Sequence, residues 1–437
     1  MNSRTLGADL NVSAIGLGCM GFSHAYGPPT EDGEAIQAIC TAFDMGYTMF
    51  DTAETYGTTE DPHHNEKLVG EALKDVRSQV QIVTKFGIRF DKTSKAVNKP
   101  LIPDARPEAI RASVEGSLRR LQTDHIDLYF QHRVDPKVEP EAVAQVMADL
   151  IREGKITHWG ISEVSEDYLR RAHRVCPVTA VQNRYSMMAR WHESLFPVLE
   201  ELNVGFVAFS PMANGLLTGA YGKGEQFDPK LDYRSAMPQF TQEAAKKNQE
   251  LLYLLQGLAV QRNATPAQIS LAWMLCKKPW IVPIPGSRKT ERMRENVGAA
   301  DIVLTNEEVA AIDQPRRGEA GQTSVAGTIS TEPSDQTWYT QFRIGTYLND
   351  AFTYNEGSQF PQGEDVLDQF FRQMTPDTGM DNAGGDQNID NEVVAQAVAA
   401  TIDEIYERTG QNSILVTHSQ GGLPGWEVPR YTDHVAA

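Results

Sequence analysis

The chain is short of several features that would point to other classes of protein. Its four cysteines (Cys19, Cys40, Cys176 and Cys276) lie far apart, with no C-x-x-C pair and no zinc spacing. That pattern predicts a reduced, intracellular protein and not a disulfide scaffold. No apolar run reaches the ~18 residues a membrane helix needs. The opening stretch MNSRTLGADLNVSAIG lacks the basic-then-apolar order of a secretion signal, so a cytoplasmic location is expected. Basic charge is scarce: 40 Lys plus Arg against 58 Asp plus Glu give a formal net charge of −18. An acidic surface repels nucleic acid and anionic membranes, so neither is expected as a partner. Lysine is absent beyond residue 314, where Pro315–Ala437 hold six arginines and 18 Asp plus Glu, a net of −12 that leaves −6 of the total for the first 314 residues. This shift in composition places a boundary there, with one unit at 1–314 and a tail at 315–437.

What the first unit does have is alternation of two periods. Short apolar runs occur at Ala14–Leu17, Met49–Asp51, Gln81–Thr84, Ile126–Phe130, Ile156–Ile161, Ala180–Asn183, Gly205–Phe209 and Trp280–Ile284. Amphipathic stretches of helical period lie between them, among them Glu34–Met45, Asn65–Lys74, Pro107–Leu121 and Glu141–Glu153. Pro107 and Pro140 stand where a first helical turn tolerates a missing N–H. Eight strand–helix units in about 300 residues predict an α/β fold, a (β/α)8 TIM barrel with right-handed crossovers. Further helices over Gln242–Arg262, Pro266–Cys276 and Asn306–Ile312 are expected around the last strand. The competitor is an open doubly wound sheet, which usually carries a glycine-rich turn after its first strand. Gly16-Leu-Gly18-Cys-Met-Gly21 has the G-x-G-x-x-G spacing, but a Gly/Pro loop follows it and not a helix. The barrel is the better reading.

Asp51, Tyr56, Lys85 and His132 each fall at or just past the C-terminal end of a predicted strand, the end at which barrels build their chemistry. Singly, each has a bland explanation as a cap, a packing ring or a satisfied surface group. Together at one rim they make a proton-donating site for a carbonyl. A free phenol has a pKa near ~10 and donates sluggishly at neutral pH. The Lys85 ammonium would favour the phenolate of Tyr56 and lower that value. Asp51 would hold and aim Lys85, His132 would orient the carbonyl, and Tyr56 would protonate its oxygen as hydride reaches carbon. No side chain supplies a hydride, so a nicotinamide cofactor is implied.

The motifs Asp51-Thr-Ala-Glu-Thr-Tyr56-Gly57, Asn65-Glu-Lys-Leu-Val-Gly-Glu-Ala-Leu73, Lys85, Asp127-Leu-Tyr-Phe-Gln-His132, Gly160-Ile-Ser162-Glu163, Phe209-Ser-Pro211 and Ile284-Pro-Gly-Ser-Arg288 resemble, in this order, the aldo-keto reductase family over residues 4 to about 313. The resemblance implies that Ser162 and Gln182 bond the nicotinamide carboxamide and that Phe209 stacks on its ring. It implies that Ser210, Gly215, Leu216 and Gly219 lie over the pyrophosphate, and that Ser287, Arg288, Arg292, Glu295 and Asn296 hold the adenosine end. Glu163 stands where many members have asparagine. Two arginines on one helix face would favour NADP(H) over NAD(H), because a 2′-phosphate needs countercharge; a solvated helix face is the alternative. The expected substrate is a small carbonyl compound, an aldehyde or ketone. The oligomeric state is left open.

Other features carry less. His63-His64 in a polar loop lacks a third ligand at usable spacing, so no metal is expected, and Cys19 and Met20 are candidates to line the pocket. In the tail, Ser413-Ile-Leu-Val-Thr-His418-Ser419-Gln-Gly-Gly422 resembles the nucleophile elbow of α/β-hydrolases. Thr417 replaces the usual first glycine, and 18 residues after Ser419 leave little room for triad partners. The expectation is an incomplete, partly disordered hydrolase-like fragment fused to a reductase. Two alternatives to the reductase stand: a nucleotide-sensing regulatory subunit of the same fold, and an esterase acting through Ser419.

Overall fold

A computed structural model describes residues 1–58, 61–90, 101–221, 227–228, 231–240, 244 and 248–313. The hydrolase-like reading of the tail, with Ser419, lies outside the described residues. Met1–Gln314 forms one compact unit.

The chain opens with an antiparallel hairpin, β1 (Ser3–Leu6) and β2 (Leu10–Ser13). Eight parallel strands follow in one sheet: β3 (Leu17–Gly18), β4 (Met49–Asp51), β5 (Gln81–Phe86), β8 (Ile126–Gln131), β9 (Ile156–Ser162), β10 (Ala180–Arg184), β11 (Gly205–Phe209) and β12 (Ile281–Pro283). Between β5 and β8 a second hairpin pairs β6 (Ile88–Phe90) with β7 (Leu101–Pro103). The sheet closes on itself through a parallel bridge from Gly18 to Gly286. Backbone bonds from Gly16 to Pro283 (3.0 Å) and Gly18 to Pro285 (3.3 Å) complete the seam. These glycines serve the closure: a Cβ on Gly18 would meet the Ile284 carbonyl oxygen at 2.8 Å. Gly16 and Gly18 therefore have a steric reason unrelated to phosphate.

The helices α1 (Asp32–Asp44), α2 (His64–Leu73), α3 (Pro107–Leu121), α4 (Pro140–Arg152), α5 (Glu166–Val175), α6 (Phe196–Leu202), α7 (Gln249–Gln261), α8 (Pro266–Lys277), α9 (Thr290–Gly298) and α10 (Asn306–Asp313) surround the sheet. Pro107, Pro140 and Pro266 each sit in the first turn of their helix. Thr265 and Gln268 form a reciprocal capping box at the start of α8. No helix among the described residues is long and apolar enough to cross a membrane.

Two cores result from the two-residue period of the strands. Met49, Val83, Leu128, Phe130, Ala180, Val207 and Val282 point into the barrel, where the hairpin residues Leu6, Leu10 and Val12 plug the N-terminal end. The alternate residues, such as Phe50, Ile82, Tyr129, Ile161 and Val181, pack outward against the helices. Gly160 has no side chain because there is no room for one. A Cβ there would lie 2.3 Å from the Phe130 ring.

Candidate active site

The same alternation builds the site. Two residues beyond each inward apolar residue, the next inward position is polar or aromatic: Met49 gives Asp51, Val83 gives Lys85, Phe130 gives His132, Gly160 gives Ser162, Ala180 gives Gln182 and Val207 gives Phe209. Six strands thus set one layer at the C-terminal mouth, above an apolar floor. Asp51, Lys85, His132, Ser162 and Gln182 are all buried, Lys85 completely.

Lys85 Nζ donates to Asp51 Oδ1 at 2.5 Å and to the Thr52 carbonyl at 2.7 Å. The other Asp51 oxygen accepts from Gln182 Nε2 at 2.8 Å. Burial pulls the Lys85 ammonium below the ordinary lysine range, and the Asp51 carboxylate opposes it. Burial likewise pushes Asp51 up, while Lys85 and Gln182 hold it down. Both oxygens of Asp51 are occupied, so the lysine has one stable position. From it, Nζ lies 4.9 Å from the centroid of the Tyr56 ring. The His132 ring meets Tyr56 edge to face, with centroids 5.6 Å apart. Burial, then the charges of Arg133 and Lys85 and the neighbouring His24, push His132 well below the ordinary histidine range. The imidazole is therefore neutral at neutral pH.

Tyr56 lies outside any strand, and its position comes from a clamp that sequence reasoning missed. Ser23 Oγ donates to the Tyr56 carbonyl at 2.8 Å, and the Asn65 N–H bonds the same oxygen at 3.1 Å. His24 Nδ1 bonds the Gly57 carbonyl at 2.9 Å. Asn65 is buried, with its amide nitrogen on the Cys19 carbonyl (2.9 Å) and Ser23 Oγ (2.7 Å) and its oxygen on Thr52 Oγ1 (2.6 Å). Gly57 is obligatory, since a Cβ would lie 2.1 Å from the Asp61 carbonyl oxygen. Cys19 does not line the mouth. It is buried in the outer core, where burial raises its thiol. His63 and His64 are engaged too, His63 with the Glu54 carbonyl at 2.5 Å and His64 with Asp32 at 2.8 Å.

Toward the later strands, the candidate cofactor residues fall into two groups. Phe209 projects into the mouth with the Arg184 guanidinium 5.7 Å from its ring centroid. Glu163, Ser210, Ala213 and Asn214 all have left-handed backbone, with φ between 49° and 61°. That conformation costs a non-glycine residue and marks a rim whose shape is fixed by its surroundings. Asn214 holds it, donating to Ser210 Oγ at 3.2 Å and to Tyr26 Oη at 3.0 Å. Gly215 (φ +98°) and Gly219 (φ +71°) turn the chain around the buried Leu216. The Glu163 side chain accepts the Arg184 N–H at 3.0 Å.

At the far end the arrangement differs from the sequence expectation. Helix α9 begins at Thr290, so Ser287 and Arg288 precede it and do not share a helical face with Arg292. The Ser287 hydroxyl is turned onto the Lys289 backbone, accepting its N–H at 3.1 Å. Arg288 ties the loop after β3, with Nε on the Gly21 carbonyl (2.5 Å) and Nη1 on that of Pro28 (2.7 Å). Arg292 is exposed and pairs with Glu295 at 2.5 Å; Glu295 also accepts from Thr265 at 2.6 Å, and Asn296 is buried.

A nicotinamide nucleotide needs polar partners that the protein leaves open. Ser162 Oγ, Asn183 Nδ2 and Arg288 Nη2 are buried without a hydrogen-bond partner among the described residues, a condition buried polar groups rarely tolerate unless a ligand completes them. The residues present fit such a group.

The profile described as "Aldo/keto reductase family" matches residues 14–317. A soybean (Glycine max) protein named "Probable aldo-keto reductase 1" is 40% identical over 303 residues, 69% of this chain and 84% of that protein. Among solved structures, a glycerol dehydrogenase from Gluconobacter oxydans superposes with a TM-score of 0.65 at 26% identity, covering 72% of this chain and 98% of that one. The holo form of an aldo-keto reductase from Bacillus halodurans gives 0.58 at 26% identity, with 73% and 99% covered. The chain belongs to the aldo-keto reductase family, oxidoreductases that act on carbonyl compounds with a nicotinamide cofactor.

Proposed function

We propose that the chain is an NADPH-dependent reductase of aldehydes and ketones, reversible as an alcohol dehydrogenase, with Tyr56 as proton donor. The observation that carries this reading is the Asp51–Lys85 contact of 2.5 Å beneath a tyrosine ring 4.9 Å away. Lys85 has acceptors on two sides, at Asp51 and at the Thr52 carbonyl, which favour its charged form against burial. An ammonium at this distance stabilises developing negative charge on the phenol oxygen and so eases release of its proton. Neutral His132 offers one N–H to the carbonyl oxygen and so orients it. The apolar floor below keeps bulk water from the reacting carbon. The bound cofactor supplies the hydride. Ser162 and Gln182 are the residues that would hold its carboxamide, Phe209 its ring, Ser210 through Gly219 its pyrophosphate, and Ser287, Arg288, Arg292, Glu295 and Asn296 its adenosine end.

We read the reductase as residues 1–314 and the segment 315–437 as separate from it, on the change of composition at that point. The similarity to a protein named glycerol dehydrogenase supports polyols as one substrate class in the oxidative direction. The test is NADPH consumption across a panel of aldehydes and ketones, with Tyr56→Phe as control. Turnover in the wild type and none in the variant, with cofactor binding retained, is the expected result. Near wild-type turnover in the variant removes Tyr56 from the role.

A further inference from the structure

One group at the mouth has no part in the mechanism above. His24 follows the short turn after β3, half-buried, its ring stacked on that of Tyr56 with centroids 6.2 Å apart and planes within 15°. Tyr56 is thus flanked by two imidazoles, His132 at its edge and His24 on its face. The protonation of His24 follows from its partner. The Gly57 carbonyl oxygen 2.9 Å from Nδ1 can only accept, so Nδ1 carries the hydrogen. Burial lowers the imidazole's pKa, which keeps the ring neutral. A neutral ring with its proton on Nδ1 presents a lone pair at Nε2. That atom has no partner among the described residues and is not among the buried unpaired ones. It is an open acceptor beside the proton donor.

Resting on the reductase reading, we infer that His24 determines specificity, accepting a hydrogen bond through Nε2 from a hydroxyl on the carbon next to the reacting carbonyl. The preferred substrates are then α-hydroxy aldehydes and α-hydroxy ketones, and vicinal diols in the oxidative direction. An α-hydroxy carbonyl carries its two oxygens on adjacent carbons, so a substrate bonded to Tyr56 through the carbonyl presents its hydroxyl beside that ring, where the His24 ring stacks. A simple ketone makes only the bond to Tyr56 and leaves the His24 lone pair facing apolar substrate, a desolvated acceptor without a donor. His24 also holds the Gly57 carbonyl, so removing the ring has a positioning cost shared by all substrates. The selectivity is confined to those carrying the hydroxyl.

The experiment compares two ketones of nearly equal shape, hydroxyacetone and butanone, with NADPH and the full chain. 4-Nitrobenzaldehyde serves as a reactive substrate without the hydroxyl. Wild-type kcat/KM is expected to favour hydroxyacetone at least tenfold, chiefly through KM. In His24→Asn the side-chain amide keeps a donor for Gly57 and loses the distal acceptor, and the ratio collapses to within about threefold. Cofactor fluorescence quenching reports that the variant is folded. A wild type without preference overturns the proposal whatever the variant does, and so does a ratio that survives in a folded His24→Asn. If 4-nitrobenzaldehyde is turned over while the two ketones are not distinguished, the specificity role fails alone. If none of the three is turned over, the reductase reading fails and this one with it.

Discussion

Two buried ion pairs occupy opposite faces of the same strands, and they have different fates. On the inner face of β4 and β5, Asp51 meets Lys85 at 2.5 Å; on the outer face, Glu66 of α2 meets Arg120 of α3 at 2.6 Å and Thr84 of β5 at 2.6 Å. Thr84 and Lys85 are neighbours in sequence, so one step along a strand separates the two environments. In the outer cluster Glu66 is fully buried and bonded to Thr84 and Arg120, whose own side chain is partly exposed. The inner pair is buried as well, but Lys85 lies beside the Tyr56 ring, with His24 and His132 next to it. Charge shared between two helices fixes α2 and α3 on the barrel, whereas charge beside a reacting group is available to polarise it.

Substitutions should separate the two. Tyr56→Phe at the inner site should cut kcat by about a thousandfold while leaving Tm and cofactor binding near wild type, as judged by steady-state kinetics, thermal melts and fluorescence quenching. Arg120→Ala should do the reverse. Leaving the Glu66 carboxylate buried without its partner should cost about 3–5 kcal/mol of stability, read by denaturant unfolding. Turnover per folded molecule should change far less than in Tyr56→Phe. A stable Arg120→Ala chain with collapsed kcat would show that the outer cluster acts on the chemistry after all.

Glu54 tests the comparison through pH. Its carboxyl sits beside the outer cluster, accepting from Ser113 Oγ at 3.1 Å, and burial, followed by repulsion from Glu66, pushes its pKa up to about 8 from 4.5. Between those values the folded state holds a proton that the unfolded state has released. Stability is therefore full below pH 4.5 and declines as pH rises through about 8. Glu54→Gln, which keeps the amide neutral throughout, should flatten that decline. By pH 8.5 it should stand on the order of 5 kcal/mol above wild type, measured by unfolding at several pH values. Parallel pH profiles for the two proteins would mean that Glu54 is ionised in the folded state.

Much of the barrel was legible because its signal is periodic. Pro107–Leu121, Met49–Asp51 and Gly205–Phe209 have the bounds that their residue patterns predict. The inner layer of Asp51, Lys85 and His132 was legible for the same reason, each following an apolar residue by two. What escaped depends on partners distant in sequence. The hairpin Ser3–Leu6 with Leu10–Ser13 has strands too short to announce a period, and its purpose is set by the open barrel end it fills. His24 is a lone imidazole in a Gly/Pro loop, and its orientation comes from the Gly57 carbonyl 33 residues on. Arg288 read as part of a cationic helix face. The helix instead starts two residues later, and Arg288 is bonded to the carbonyls of Gly21 and Pro28.

That displacement sharpens the last test, at the most exposed part of the site. With Arg288 spent mostly on backbone carbonyls, Arg292 is the arginine free to swing to a phosphate. More than half of its side chain is exposed, and its present partner Glu295 is a surface contact of small worth. A 2′-phosphate on the adenosine ribose would compete for that guanidinium with a charge-assisted bidentate pair, so Arg292→Ala should weaken NADPH binding about tenfold and leave NADH nearly unchanged. Titrating both cofactors against both proteins by fluorescence quenching gives the ratio directly. Added salt should shrink the NADPH advantage in the wild type, because an exposed pair is screened, and should have little effect in the variant. Equal losses for the two cofactors would move the 2′-phosphate contact away from Arg292, to the Nη2 of Arg288, which has no partner among the described residues.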